Sequence, residues 1–194
     1  DSVAKALADL DSGDRVIGAP GDLVNLAGCE AAVTRALEGL GGLDVLVNNA
    51  GVGEGAAIET ADEAHWDWMH AINLKSYYFC SKYALAALRA SGGNIVNIST
   101  DHVKPGPGCE RHHGHGLMDV YNASKWALNG LTFDWAKTLG PEGIRVNNIC
   151  MGATDTEMLR SFLGADPDPE YLATWMKPQE TAQILVELLE EGPN

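Results

Sequence analysis

Tyr121 and Lys125 stand four residues apart in Tyr121-Asn122-Ala123-Ser124-Lys125, a spacing that puts both side chains on one face of a helix. A free phenol has a pKa of about 10 and is a poor base near neutrality. A nearby ammonium stabilises the phenolate and lowers that value, so the pair is suited to exchange a proton with a substrate hydroxyl or carbonyl. Taken alone, such a pair is more often two exposed side chains. Three other groups invite the same double reading. Ser99-Thr100 offers a hydroxyl to an oxygen on which charge builds, or a turn. Asn73, in the middle of a helical stretch, perturbs backbone bonding and frees a carbonyl for a water, or lies on the surface. Asn48-Asn49-Ala50-Gly51 lets backbone approach a ligand, or is an ordinary strand exit.

The elements that must position these residues alternate between short β-branched runs and helical periods. Arg15–Ala19 reads as a strand, 26–39 as a helix with Asn25 as N-cap, and Leu43–Asn48 as an apolar strand covered on both faces. Gly51–Gly55 reads as a loop. Thr60 and Glu63 have capping-box spacing ahead of a helical region ending near Ser91. Asn94–Ser99 reads as a strand, 103–118 as a loop rich in Gly, Pro and His, and Val120–Leu139 as a helix stopped by Gly140-Pro141. Ile144–Cys150 is the next strand, and Met151–Lys177 is irregular with one short helix. A final helix opens at Pro178 and closes at Gly192-Pro193. This rhythm means βαβ units in a single α/β domain over 1–194. The expected fold is a doubly wound, Rossmann-like parallel sheet in three layers, with ligands beyond the C-terminal strand ends.

The 194 residues carry a formal net charge of −14 and are 45% hydrophobic. The charge argues against nucleic acid and anionic membrane as partners, and no run approaches the length of a membrane span. Cys29, Cys80, Cys109 and Cys150 are scattered without a CxxC pair, which suits a reducing cytoplasm.

The order Asn48-Asn49-Ala50-Gly51, Asn73, Ser99-Thr100, Tyr121 with Lys125, and Gly152 with Thr156 resembles the short-chain dehydrogenase/reductase family. So do the strings Asn94-Ile95-Val96-Asn97-Ile98-Ser99 and Ile144-Arg145-Val146-Asn147. The resemblance runs from about residue 5 to the end. It implies an enzyme that moves a hydride between NAD or NADP and an alcohol or ketone. Tyr121 would be the general acid/base, Lys125 would tune it and hold the nicotinamide ribose, and Asn73 would anchor a water in the proton relay. Thr100 aligns with the hydroxyl that polarises the substrate, and Ser99 stands as an alternative. Asp22, beside Leu23, would meet the adenine. Asn49, Ala50 and Gly51 would line the cofactor cleft together with Gly152 and Thr154, and Thr156 would contact the nicotinamide amide. Residues 153–177 match the family's variable lid. Met158 and Trp175 are expected to line an apolar or cyclic substrate, with His102 and His115 from the other side.

The sequence departs from the family pattern in four places. Thr100 replaces the usual Ser, and Met151 replaces the Pro before Gly152. The segment between Thr100 and Tyr121 is longer by roughly eight residues, and loops of such length in compact domains are usually functional or disordered. Cys109, His112, His113 and His115 within it match no common zinc spacing, so no metal is expected. Fourth, the family's opening strand, Gly-rich turn and helix are not found, nor is its last strand. The 194 residues are therefore expected to belong to a longer polypeptide, with Arg15–Ala19 left without a neighbouring strand. The weaker alternative is a remnant that pairs its strands in another way. If the dinucleotide turn is truly lacking, a non-catalytic binding or scaffold protein is the alternative function. Helices 64–91 and 120–139 form dimer or tetramer contacts in many relatives. Trp66, Tyr78, Trp126, Phe133 and Trp135 either serve there, in a homodimer or homotetramer, or pack in the core.

Overall fold

The computed structural model describes residues 2–10, 15–103, 117–161 and 168–191. Three strands, β1 (Val45–Asn48), β2 (Asn94–Thr100) and β3 (Arg145–Met151), form a parallel sheet in the order β1-β2-β3. Val45 pairs with Asn94, and Asn94 with Arg145. Among the described residues, eight α-helices surround or extend it: α1 (Ser2–Leu10), α2 (Leu26–Leu40), α3 (Glu63–His70), α4 (Ser76–Ser91), α5 (Asp119–Leu139), α6 (Glu157–Arg160), α7 (Pro169–Leu172) and α8 (Pro178–Glu191). The crossovers are α3–α4 between β1 and β2, and α5 between β2 and β3. All three strands therefore leave the sheet at one edge, where Asn49, Asp101 and Gly152 follow.

Side-chain alternation assigns the layers. Asn48 and Asn97 are register partners and bond each other at 2.9 Å. Asn48 also donates to Ser81 Oγ of α4, at 3.0 Å, and Asn97 to Thr132 Oγ1 of α5, at 2.9 Å. Both helices thus cover the same face. Ile95 and Val146 join Cys80, Ala84 and Leu88 of α4 and Cys29 and Val33 of α2 in the main apolar core on that face. The Cys29 and Cys80 thiols are hydrogen-bonded there. Arg145 points the other way, and its Nη2 donates to Leu189 O of α8 at 2.7 Å, which places α8 on the second face. No helix among the described residues is long and apolar enough to cross a membrane.

Several local expectations are corrected. Val16–Ala19 is not a strand. Ladder bonds need a strand alongside, and among the described residues this segment has helices instead. Arg35 of α2 donates to Gly18 O at 2.6 Å, and Val3 and Leu7 of α1 pack within 3.1 Å of where a Gly18 Cβ would be. The first cap of the long helical region is Asp62, which accepts from His65 N at 2.8 Å, while Thr60 donates to Ala57 O. Asp is as good a cap as Thr and stands directly before the first turn. β1 begins at Val45 rather than Leu43, and the segment after β3 holds two short helices rather than one. Asn25 caps α2 as expected, accepting from Gly28 N at 2.9 Å. Gly28 is required there, since a Cβ would lie 1.9 Å from Asp22 O.

α3 and α4 form one continuous rod except at Ala71–Lys75, which winds as a π-helix. Asn73 sits at its centre, fully buried. Such bulges widen a helix by one residue and free carbonyls from the regular ladder.

Candidate active site

Tyr121 and Lys125 lie on the inward face of α5, where it crosses the edge at which the strands end. The register of α5 is set by buried polar contacts with β2. Besides the Asn97–Thr132 bond, Ser99 Oγ donates to Asn129 Oδ1 at 3.1 Å, and Asn129 Nδ2 donates to Val103 O at 3.0 Å. Asn148 of β3 also donates to Asn129. Buried polar groups that are fully paired hold one arrangement firmly, because any shift leaves a donor or acceptor without a partner.

This ladder places the two candidate hydroxyls differently. Ser99 faces α5, and its hydroxyl is held by Asn129. Alternation turns Thr100 the other way, toward the Tyr121 phenol, whose pKa its hydroxyl lowers. Thr100 Oγ1 also accepts from His102 N at 3.3 Å and lies 3.5 Å from Asp101 Oδ1. The His102 ring meets Tyr121 edge to face, with centroids 6.5 Å apart, so this expected substrate-lining residue does stand beside the phenol.

Lys125 is 4% exposed. Its Nζ donates to Ile98 O at 2.8 Å and to the Tyr77 hydroxyl at 3.4 Å. It lies 5.9 Å from the Tyr121 ring centroid and 5.0 Å from that of Tyr77. Burial draws its pKa down to about 8. Burial also pushes the Tyr121 phenol up to about 12; the Thr100 hydroxyl opposes that rise and the Asp101 charge adds to it. The expectation of a lysine-depressed phenol is thus not met in this arrangement. Desolvation outweighs attraction because the ammonium N–H groups point at Ile98 and Tyr77 rather than at the Tyr121 oxygen. Both groups are biased toward their neutral forms.

The Asn73 side chain fastens the β1 exit. Its Oδ1 accepts from Val52 N at 2.8 Å, while Nδ2 donates to Val52 O at 2.9 Å and approaches Ser124 Oγ at 3.3 Å. The amide therefore pairs with the β1 exit as a neighbouring strand would, and fastens it to α5. Ala56 N donates to Leu117 O at 2.9 Å, tying the same loop to the start of α5. Exposed Asn49, Ala50 and Gly51 are thus held beside Lys125. A Cβ on Gly51 would sit 3.5 Å from Asn73 Oδ1 and 3.9 Å from Lys125 Nζ, so the glycine leaves open the space through which a ligand reaches the ammonium. Among the described residues two ammonium N–H groups are engaged, and the third remains for a ribose hydroxyl. The nicotinamide-ribose end of a dinucleotide fits this corner.

The other expected residues scatter. Asp22 is exposed and its carboxylate accepts from Val24 N at 3.1 Å. Leu23 packs against the apolar core, so its side chain is structural. A Cβ on Gly152 would lie 3.4 Å from Asp101 Oδ2, which brings the β3 exit to the β2 exit. Thr154 is buried, donating to Gly152 O at 3.1 Å and meeting Thr181 Oγ1 at 3.3 Å. Thr156 caps α6, accepting from Leu159 N at 3.3 Å. Met158 is 44% exposed. Trp175, expected to line the substrate space, is instead 8% exposed and packs edge-on against Tyr171. His115 and the rest of the His-rich stretch 104–116 lie outside the described residues. A groove of about 640 Å³, lined by Trp68, Leu74, Tyr78 and Leu131 among others, opens on α3–α5 and includes none of the expected site residues. Sequence reasoning missed Tyr77, Asn97, Asn129 and Thr132. The signal for the last three is polar side chains inside otherwise apolar strand and helix faces.

A sequence model of the short chain dehydrogenase family matches residues 1–165. The trans-4-hydroxycyclohexanecarboxylate dehydrogenase of Sinomonas cyclohexanicum is 37% identical over 137 residues, which cover 71% of this chain and 50% of that protein. A Serratia marcescens short-chain dehydrogenase/reductase mutant superposes with a TM-score of 0.82 at 30% identity, covering 98% of this chain and 76% of that one. A blue fluorescent protein from a metagenomic library, in complex with NADPH, superposes with a TM-score of 0.74 at 27% identity, covering 89% and 68%. The chain spans about half the length of the first curated relatives it matches. With a family match over most of its length, a parallel sheet that ends beside a tyrosine and a buried lysine on one helix face, and relatives of this kind, the chain belongs to the short-chain dehydrogenase family.

Proposed function

We propose that this chain carries the proton-handling half of an NAD(P)-dependent oxidoreductase acting on an alcohol or ketone. The observation that carries the reading is the Tyr121 phenol with the Lys125 ammonium 5.9 Å from its ring centroid, at the strand-end edge beside exposed Gly51. The bound nicotinamide would supply or accept the hydride. The residues do the rest. Thr100 orients the substrate oxygen, the buried and protonated Tyr121 donates a proton to a carbonyl, and the Lys125 ammonium steadies the phenolate left behind. Alcohol oxidation runs the same proton path backwards and needs a higher pH, because the phenol is held neutral. Lys125, Gly51, Asn49 and Ala50 would meet the nicotinamide ribose. Asp22 would meet the adenine, and Gly152, Thr154 and Thr156 the nicotinamide side.

His102 over the phenol and Met158 in the open segment after β3 favour an apolar or cyclic substrate, in keeping with the cyclic alcohol in the name of the Sinomonas relative. Trp66, Tyr78, Trp126 and Phe133 are all more than 40% exposed on α3–α5, which supports a homodimer or homotetramer joined through those helices; Trp135 packs against the core instead. The scattered cysteines, without a CxxC pair, suit a cytoplasmic protein.

Fluorescence titration with NADH and NADPH, followed by turnover of Tyr121→Phe, tests the reading. The variant is expected to bind the reduced cofactor as the parent does and to lose roughly 10²–10⁴-fold in kcat. Turnover at the parent rate would remove Tyr121 from its role.

A further inference from the structure

We propose that Tyr77 is a positioning residue for the Lys125 ammonium: its hydroxyl and ring face, together with Ile98 O, form a seat that fixes Nζ between two phenols. This rests on the reading of Lys125 as a working group and adds a residue to it.

Tyr77 stands two residues beyond the π-helical turn and is 1% exposed. A buried tyrosine that only filled space would need one partner for its hydroxyl. This one lies 3.4 Å from Ile98 O and 3.4 Å from Lys125 Nζ. Donors and acceptors fix the roles. The ammonium only donates, so the phenol oxygen accepts from Lys125 and gives its own proton to Ile98 O. The carbonyl also takes the 2.8 Å bond from Nζ, which closes a three-membered arrangement of phenol, ammonium and peptide oxygen. The ring adds to the seat, with Nζ 5.0 Å from its centroid, within range of a cation-π attraction that strengthens when water is excluded.

The π-helical turn explains why Tyr77 can reach. One extra residue in the winding shifts everything after Asn73 around the helix axis by roughly 100°. Asn73 and Tyr77, one α-helical turn apart in number, thereby serve two neighbouring places: Asn73 fastens the β1 exit at Val52 and Tyr77 meets Lys125. The groups facing Lys125 are Tyr77 from α4, Tyr121 from its own helix, Ile98 O from β2 and Gly51 from the β1 exit. Thr100 and Asp101 at the end of β2 act on it through Tyr121. Removing the Tyr77 oxygen leaves the ammonium with fewer acceptors in a dry site, which favours its neutral form.

Tyr77→Phe keeps the buried ring and deletes only the oxygen. Lys125 is followed in the cofactor-free protein by NMR of ¹³Cε-labelled lysine. Its titration is expected to move to lower pH by roughly half a unit in the variant, consistent with loss of a long charge-assisted bond. The alkaline fall of ketone-reduction kcat/KM should move with it, about threefold lower activity above pH 8, with the KM for cofactor unchanged. A Lys125 titration identical in parent and variant overturns the proposal. A second measurement needs no variant. The Lys125 Hε resonances of the parent should be shifted upfield by the Tyr77 ring and show cross-relaxation to its protons; lysine resonances at their ordinary position also overturn it. Both readouts are independent of turnover. An active Tyr121→Phe would sink the enzymatic reading while leaving this seat intact, and an unmoved Lys125 titration would do the reverse.

Discussion

The two sides of the site are built differently. The β2–α5 side is locked by buried amides and hydroxyls in two chains, one from Ser81 through Asn48 and Asn97 to Thr132 and one from Ser99 through Asn129 to Val103. The side that follows β3 rests on less. Among the described residues, a bridge between Thr154 and Met176 with its two flanking backbone bonds, the exposed Arg160–Asp155 ion pair, the Thr154–Thr181 contact and two four-residue helices hold it. Proton transfer needs heavy atoms placed to within tenths of an ångström, so that side is rigid. A substrate wall has only to exclude water and match a shape, and short, weakly tied helices adapt to that at low cost.

The difference can be broken in order of effect. Lys125→Met removes the charge from the rigid side and should lower ketone-reduction kcat/KM about 10²–10³-fold, measured by steady-state kinetics. The parent pH profile checks the same residue. A lysine drawn down to about 8 is charged below that pH and neutral above it. Reductive kcat/KM should therefore be flat below pH 8 and decline above it, and the variant should lack this step. Asn97→Leu should be the most destabilising change in the ladder. It removes one buried bond from Asn48, which keeps Ser81, and one from Thr132, which keeps Leu128 O, at about 2 kcal/mol and roughly 4–8 °C in Tm by calorimetry, with kcat falling as α5 shifts. Asp101→Asn should leave stability nearly unchanged. Because the Asp101 charge raises the Tyr121 pKa, its removal should move the rising limb of alcohol oxidation to lower pH. Trp175→Phe, on the adaptable side, should do least. Its indole N–H has no hydrogen-bond partner among the described residues, so the loss of contact is offset by removal of a buried unsatisfied donor. A change within about 1 kcal/mol is expected, read as a small Tm shift, with substrate preference altered more than kcat. A Trp175 variant that destabilises as much as Asn97→Leu would erase the contrast between the two sides.

Much of the order along the chain was legible in the residues. Hydrophobic period and caps located α2, α5, the end of α4 and the three strands to within two residues, because these signals are local. Asn25 shows the point: its side chain acts three residues away. The Val16–Ala19 segment shows the opposite. Its β-branched composition favours a strand, but a strand exists only when another lies alongside, and here helices lie there instead. The different placing of Thr100 and Ser99 was likewise closed to sequence, since both carry hydroxyls at the strand end and only the partner across the gap tells them apart.

The amino-acid sequence by itself determined the helix that carries Tyr121 and Lys125 on one face, the parallel-sheet class and the kinship with short-chain dehydrogenases, because these depend on spacing of three to four residues or on the wording of short strings. The tertiary structure alone decided which atoms those side chains meet. Asn73 turned to Val52, Lys125 to Ile98 and Tyr77, and desolvation rather than charge attraction set the protonation of the pair. The reason is that burial and hydrogen-bond direction come from contacts tens of residues apart in the chain, and no local pattern records them.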